Sequence, residues 1–227
     1  MAKRKPHDPR RACDLPHKVL QRKLDRVKAM AFHSEIELDA WKFRRARMTA
    51  PQTYEWIDKK WRTIRLGEEW GGREVTAFFQ RTVALPKEYD GQDVLLDVFL
   101  DGGEAQLTVN DHPWQGLDWN RSMMRLKAPA NKGDRFNIEI EAFVINYTYD
   151  GWRNDERNNH VFKRARLVCR DKDLEDFYLD AQWAMDVYIH YWESDQNLEL
   201  ERMILTNLQT ACAGIDIYET DRATFRK

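Results

Sequence analysis

The stretch from Trp61 to Asn146 constrains the fold of this chain more than any other. It reads W-R-T-I-R-L-G, F-F-Q-R-T-V-A-L-P, G-G-E-A-Q-L-T-V-N-D-H-P-W-Q-G-L-D-W-N-R and F-N-I-E-I-E-A-F-V-I-N, short alternating runs broken by Gly, Pro, Asp and Asn. A period of two sends successive side chains to opposite faces, and frequent turn residues keep each strand short, which predicts a β-sandwich. Phe136, Ile138, Ile140 and Ala142 alternate with Asn137, Glu139 and Glu141, the pattern of a half-buried strand. Val94, Leu96, Val98 and Leu100 line one face of another, and Ala105, Leu107 and Val109 one face of a third. The run from Thr76 to Leu85 stops at Pro86, which has no ladder donor. Gly102-Gly103, Tyr89-Asp90-Gly91 and Asn110-Asp111 are predicted turns, the last because both side chains tolerate positive φ. Val161 to Cys169 is the predicted last strand. Arg81 shares a face with Phe79, Val83 and Leu85, which calls for a buried partner or a place near the sheet edge.

The flanks follow a helical period. Leu20, Leu24, Val27 and Ala31 fall on one face of a helix that starts at Leu15, with Lys and Arg over the rest. Ten Lys or Arg lie between Lys3 and Lys28 against three Asp. Without interleaved aromatic residues this reads as a solvated or partner-facing helix rather than a nucleic-acid arm. From about Ile36 the period is two, with Ile36 and Leu38 alternating with Glu37 and Asp39. After Asp171 the chain is helical again. Asp173 is the predicted cap of a helix carrying Phe177, Ala181, Ala184 and Tyr188, with Leu179, Trp183 and Val187 beside them. Ser194 is the predicted cap of a second, bearing Leu200, Met203, Ile204, Leu208 and Ala211 and ended by Gly214. Ten acidic residues and one lysine lie between Asp171 and Glu201, so this end and the basic first helix attract each other, weakly once screened. The predicted organisation is a flexible basic leader 1–14, a helix 15–34, a sandwich 35–170, a helical segment 171–216 and a tail 217–227.

A length of 227 residues suits one large domain or a domain with helical extensions. A net charge of −1 gives no general attraction to nucleic acid or anionic membrane. Nine tryptophans serve sandwich cores and sugar-stacking platforms alike. Cys13, Cys169 and Cys212 form neither a C-x-x-C pair nor an even disulfide set, which fits a reducing compartment. With no signal-peptide core in M-A-K-R-K-P-H-D-P-R-R and no apolar run of membrane-spanning length, the simple expectation is a cytoplasmic protein.

The densest mixture of aromatic and polar groups is Val109 to Arg121, expected on a loop after a strand. A sugar is held by an aromatic face against its C–H surface, with carboxylate, amide and guanidinium groups on its hydroxyls. Trp114, Asp118, Trp119, Asn120 and Arg121 supply those types and are the candidate carbohydrate-binding residues; against this, Trp114 and Trp119 suit the end of the sandwich or a neighbouring domain equally. Tyr147, Tyr149 and Trp152 form a second aromatic stretch, suited to stacking or to an interdomain surface. The six histidines show no H-E-x-x-H or Cys–His clustering, so no metal site is expected. Glu68 and Glu69 are adjacent and point apart in a strand, a poor acid and nucleophile pair.

Several ordered pieces resemble the non-catalytic sandwich at the front of the large intracellular α-mannosidases of glycoside hydrolase family 38. Gly67 to Gly72 (G-E-E-W-G-G) sits at that family's glycine and tryptophan turn, and Phe78 to Pro86 resembles its aromatic, Arg-bearing strand. Gly103 to Gly116 resembles an element in which Asp111 here replaces the usual glycine. Ile140 to Asn146 and the acidic helices to Ile215-Asp216 complete a likeness covering about 60 to 216. The resemblance implies a mainly β fold, a galactose-binding-like jelly-roll sandwich with an N-terminal helix and C-terminal helices. It further implies a zinc-dependent retaining α-mannosidase whose zinc and carboxylate nucleophile lie in a later domain, so no catalytic residue and no cofactor is carried over to this fragment. The implied partners are the catalytic domain of the same polypeptide, then carbohydrate and a second copy of the chain, with neither nucleic acid nor membrane. A similar sandwich opens other glycosidases, such as the β-galactosidase type.

Overall fold

The computed structural model describes residues 15–144, 159–194 and 196–225. The leader 1–14, Cys13, Asn146, Tyr147, Tyr149 and Trp152 lie outside them. The chain divides into two compact units, residues 34–170 and a second formed by the segments before and after them.

The larger sheet of the first unit has the order β3 (Thr53–Trp56), β2 (Trp41–Ala50), β6 (Thr76–Ala84), β11 (Arg135–Phe143), β8 (Glu104–Val109) and β9 (His112–Leu117), with β4 (Arg62–Ile64) paired to β2. The smaller sheet runs β1 (Phe32–Glu37), β13 (Arg164–Arg170), β7 (Asp93–Phe99) and β10 (Met123–Lys127), and β5 (Glu69–Gly71) pairs with β12 (Asn159–Val161) in a short ribbon. Alternation decides the core, as the sequence predicts. Phe43, Phe79, Leu107 and Ile140 point inward from the larger sheet, and Val94, Leu96, Leu167 and Cys169 from the smaller, all 2% exposed or less. The Trp70 indole donates to the Leu100 carbonyl at 2.8 Å and anchors the ribbon to this core.

Asn110 and Asp111 both take positive φ, 50° and 63°, in a two-residue hairpin loop between β8 and β9. The Asn110 side chain accepts the Asn137 N–H and its own N–H donates to the Asn137 carbonyl, both at 2.8 Å, which ties the turn to β11.

Two expectations change and two gain detail. The predicted turn at Tyr89-Asp90-Gly91 forms, with Gly91 at a φ of 74°, and Tyr89 itself is 1% exposed, its hydroxyl donating to the Ser34 and Leu167 carbonyls. The strand predicted from Val161 to Cys169 is two strands, broken at Phe162 and Lys163 where the chain leaves the ribbon for the smaller sheet. The expected loop from Val109 to Arg121 contains the strand β9, His112–Leu117, because the hairpin turn is complete by Asp111. Arg81 lies on an interior strand, yet its last neighbour from β2 pairs at Gln80, so at Arg81 that flank is open, and the guanidinium donates to the Ala40 carbonyl.

In the second unit, α1 (Leu15–Ala31), α2 (Lys172–Ser194) and α3 (Leu198–Ala211) share a separate core. Leu20 and Leu24 of the predicted α1 face pack with Ala181, Met185, Tyr188 and Leu208, and Val27 and Ala31 are also buried. The helix caps differ from those predicted. Asp171 accepts the Leu174 N–H, two residues ahead of Asp173, and Asn197 rather than Ser194 caps α3, accepting the Leu200 N–H at 3.0 Å. Lys23 of the basic first helix donates to the Cys212 carbonyl at 2.6 Å at the end of α3, where unsatisfied acceptors and the negative end of the helix dipole lie. Among the described residues no helix is long and apolar enough to cross a membrane.

Candidate functional site

The five residues singled out in the sequence occupy one edge of the sandwich. Trp114 lies on β9 and is 48% exposed, but its indole N–H donates to the Arg125 carbonyl of β10 at 3.0 Å. Gln115 donates to the Met123 carbonyl of the same strand. The edge strands of the two sheets are thus stitched together by side chains, which covers two otherwise open edges.

Asp118, Trp119, Asn120 and Arg121 form a tight turn. The Asp118 carboxylate accepts the Asn120 and Arg121 N–H groups at 2.8 and 2.9 Å, and the Arg121 guanidinium at 3.1 and 2.6 Å. The Arg121 hydrogen bond is the main cause that holds the Asp118 carboxyl below its ordinary range. Both charged groups are therefore turned on each other, while Trp119 remains 48% exposed. The hollow that Trp119 lines with Leu117 and Gly103 holds about 10 Å³, barely one water. This turn presents an indole without a pocket.

A far larger hollow lies elsewhere. The outward residues of the larger sheet line a cleft of about 530 Å³. Register fixes its floor as one row across four strands: Lys42 on β2, Gln80 on β6, Glu139 on β11 and Thr108 on β8. Thr82 and Asn137 pair in the next row, their side chains joined at 2.9 Å, and Arg81 and Asp111 complete the wall. Gln80 donates to Glu139. Among the described residues Lys42 and Asp111 have no ion-pair partner. Burial pushes the Arg81 guanidinium below its ordinary value, against the opposing field of Asp39.

One row in the other direction the same face becomes aromatic. Phe78 is covered by Tyr54 and Trp56, with ring centroids 5.0 and 5.2 Å away, and Trp61 lies 6.2 Å from Trp56. The Arg44 guanidinium stacks 3.9 Å from the Trp56 centroid. Tyr54 donates to Glu141, and burial first, then that bond, raises the phenol well above its ordinary value. None of these cleft or shelf residues was singled out in the sequence as a binding residue, although Arg81 stood out as a charge on an apolar face and Asp111 as a turn residue. The signal available was the outward set Asn137, Glu139 and Glu141, and it gained meaning only once the register placed Gln80, Lys42 and Thr108 beside it.

His160 is buried in the ribbon with Nδ1 3.1 Å from the Asp101 carbonyl, a structural position. Among the described residues no three His, Cys, Asp or Glu side chains come together as a metal site would need.

Two antiparallel sheets over one apolar core, with a separate helical unit, define a jelly-roll sandwich protein. The family model described as "Alpha-mannosidase, jelly roll domain" matches residues 34–168, and the chain belongs to that family. No curated protein matches the chain. Among solved structures it is similar to a Faecalibacterium prausnitzii beta-glucuronidase, at 14% identity and a TM-score of 0.44, covering 62% of this chain and 31% of that one. A Bacteroides uniformis beta-glucuronidase 2 gives 15% identity and a TM-score of 0.45, covering 60% and 18%. The Ruminococcus gnavus beta-glucuronidase gives 11% identity and a TM-score of 0.41, covering 60% and 29%. The chain spans less than a third of each of these enzymes.

Proposed function

We propose that this chain is the non-catalytic jelly-roll part of a larger α-mannosidase and that it supports the catalytic domain of the same polypeptide. The family membership of residues 34–168 carries this reading. The way the sandwich uses its charges supports it. Asp93 is held by Arg125 and Arg170, Asp97 by Arg164 and Arg166, and Asp118 by Arg121, so these carboxylates act as struts rather than as an acid and nucleophile pair. On this reading the zinc-dependent, retaining chemistry belongs to another domain. A cytoplasmic location is part of the proposal, and Cys169 and Cys212 as buried thiols suit it.

The test is deletion from the full gene product. Removing residues 34–170 should lower the thermal midpoint of the mannosidase and the activity recovered per mole. Unchanged stability and activity would rule out a supporting role.

A second reading, an independent carbohydrate-binding module acting through Trp119 and Arg121, is favoured by one observation: the indole of Trp119 stays half-exposed on the turn that carries Arg121. A saturable change in tryptophan fluorescence on titration with mannose oligosaccharides, abolished by Trp119→Ala, is its signature.

A further inference from the structure

We propose that the outer-face cleft of the larger sheet binds a neutral oligosaccharide. At about 530 Å³ it falls in the range of ligand pockets, about 300–1,000 Å³. The floor row from Lys42 to Thr108 crosses three strand gaps of about 4.8 Å, giving a trough about 14 Å long, shaped for a short chain rather than for a single small group.

The lining selects the chemistry. Lys42 and Arg81 are offset by Asp111 and Glu139, so neither an anion nor a cation is favoured as a whole. The remaining lining side chains are mainly amides and hydroxyls, from Gln80, Asn137, Thr82 and Thr108, which both donate and accept. Sugar hydroxyls need that mixture. An apolar ligand would instead strip water from these groups and leave them without partners.

The polar groups are also held ready. Gln80 fixes one Glu139 oxygen and leaves Oε1 to accept, while Thr82 fixes the Asn137 oxygen at 2.9 Å and leaves Nδ2 to donate. Asp111 is set on the rim by a hairpin turn that hydrogen-bonds β11. Groups already ordered lose little entropy when a ligand arrives. Two residues along the strands, about 7 Å away, Phe78 begins an aromatic shelf whose outer ring, Trp56 at 41% exposed, offers apolar surface that the C–H faces of a saccharide pack against.

This inference goes beyond the supporting role and names a different surface from the Trp119 turn. The test uses the whole chain, mannotriose as the probe, calorimetric titration, and the Asn137 and Gln80 side-chain amide resonances as reporters of place. Saturable binding is expected, with both amide signals shifting. Glu139→Gln and Asn137→Ala should each weaken it at least about tenfold, and Trp119→Ala should leave it unchanged. Lys42→Ala, at an exposed position, guards against loss through misfolding, with an unchanged thermal midpoint and a several-fold loss of affinity. No saturable binding, or binding that survives the cleft variants and disappears in Trp119→Ala, overturns the proposal. Tighter binding of a uronate-bearing trisaccharide than of mannotriose overturns its neutral character. Mannosidase turnover by the chain would sink the supporting role and leave this site standing.

Discussion

Asp97 sits on the outward side of β7 and is nonetheless fully buried, because Arg164 and Arg166 reach over it from β13. Each arginine stays partly solvated while the carboxylate does not. Removing the carboxylate leaves two crowded guanidinium groups, so Asp97→Ala is expected to destabilise the sandwich by about 3 kcal/mol, read as a shift in the urea midpoint. Phe79→Ala is expected to cost about 4 kcal/mol, since the ring is 0% exposed and meets Phe43, Trp70 and Phe162. Gly103 has φ of 71°, and a Cβ there would lie 2.5 Å from the Phe143 carbonyl oxygen. Gly103→Ala should therefore lower the thermal midpoint by several degrees, where a surface glycine such as Gly133, with nothing within 4 Å, has only its positive φ to lose.

At the scale of elements, the β8–β9 hairpin makes a two-sided prediction. Positive φ at Asp111 favours glycine, so Asp111→Gly should hold or raise the thermal midpoint. The same change removes a rim carboxylate of the cleft and should weaken mannotriose binding several-fold. The elements legible in the sequence were those whose faces differ sharply. β11 alternates polar and apolar residues from Arg135 to Ala142, and the buried face of α1 is spaced as a helix requires. β2 was not legible, because W-K-F-R-R-A-R-M-T-A carries Lys42, Arg44, Arg45 and Arg47 and hides only Trp41, Phe43 and Ala46. Its arginines are accommodated by contacts distant in sequence, Arg45 by Asp58 and Arg44 by the Trp56 ring. The aromatic and polar turn at Trp119 was visible as a cluster in sequence, but its charges satisfy each other. The cleft was invisible for the opposite reason: its floor is assembled by register from four separate strands.

At the scale of the whole molecule, each unit carries its own core and its own response to pH. His33, in the helical unit, is held below its ordinary value of 6.5 by burial first and by Arg222 second, with Asp171 opposing. A folded pKa below the unfolded one means that the unfolded state takes up the proton first. The helical unit should therefore keep its full stability above about pH 6.5 and lose some as the pH falls through the lowered folded value. His33→Gln should flatten that dependence in thermal melts. Asp58 gives the sandwich a second, more acidic response. Its carboxyl is held low chiefly by the Arg45 hydrogen bond, so its contribution is present above the ordinary carboxylate range and is lost as the pH falls through the folded value. The central claim, that this jelly-roll chain supports a mannosidase without being one, is tested most directly by aryl α-mannoside turnover of the purified 227-residue chain, with and without added zinc. The predicted result is a rate no higher than that of a mock preparation in either condition, and a reproducible zinc-dependent rate above it would contradict the claim.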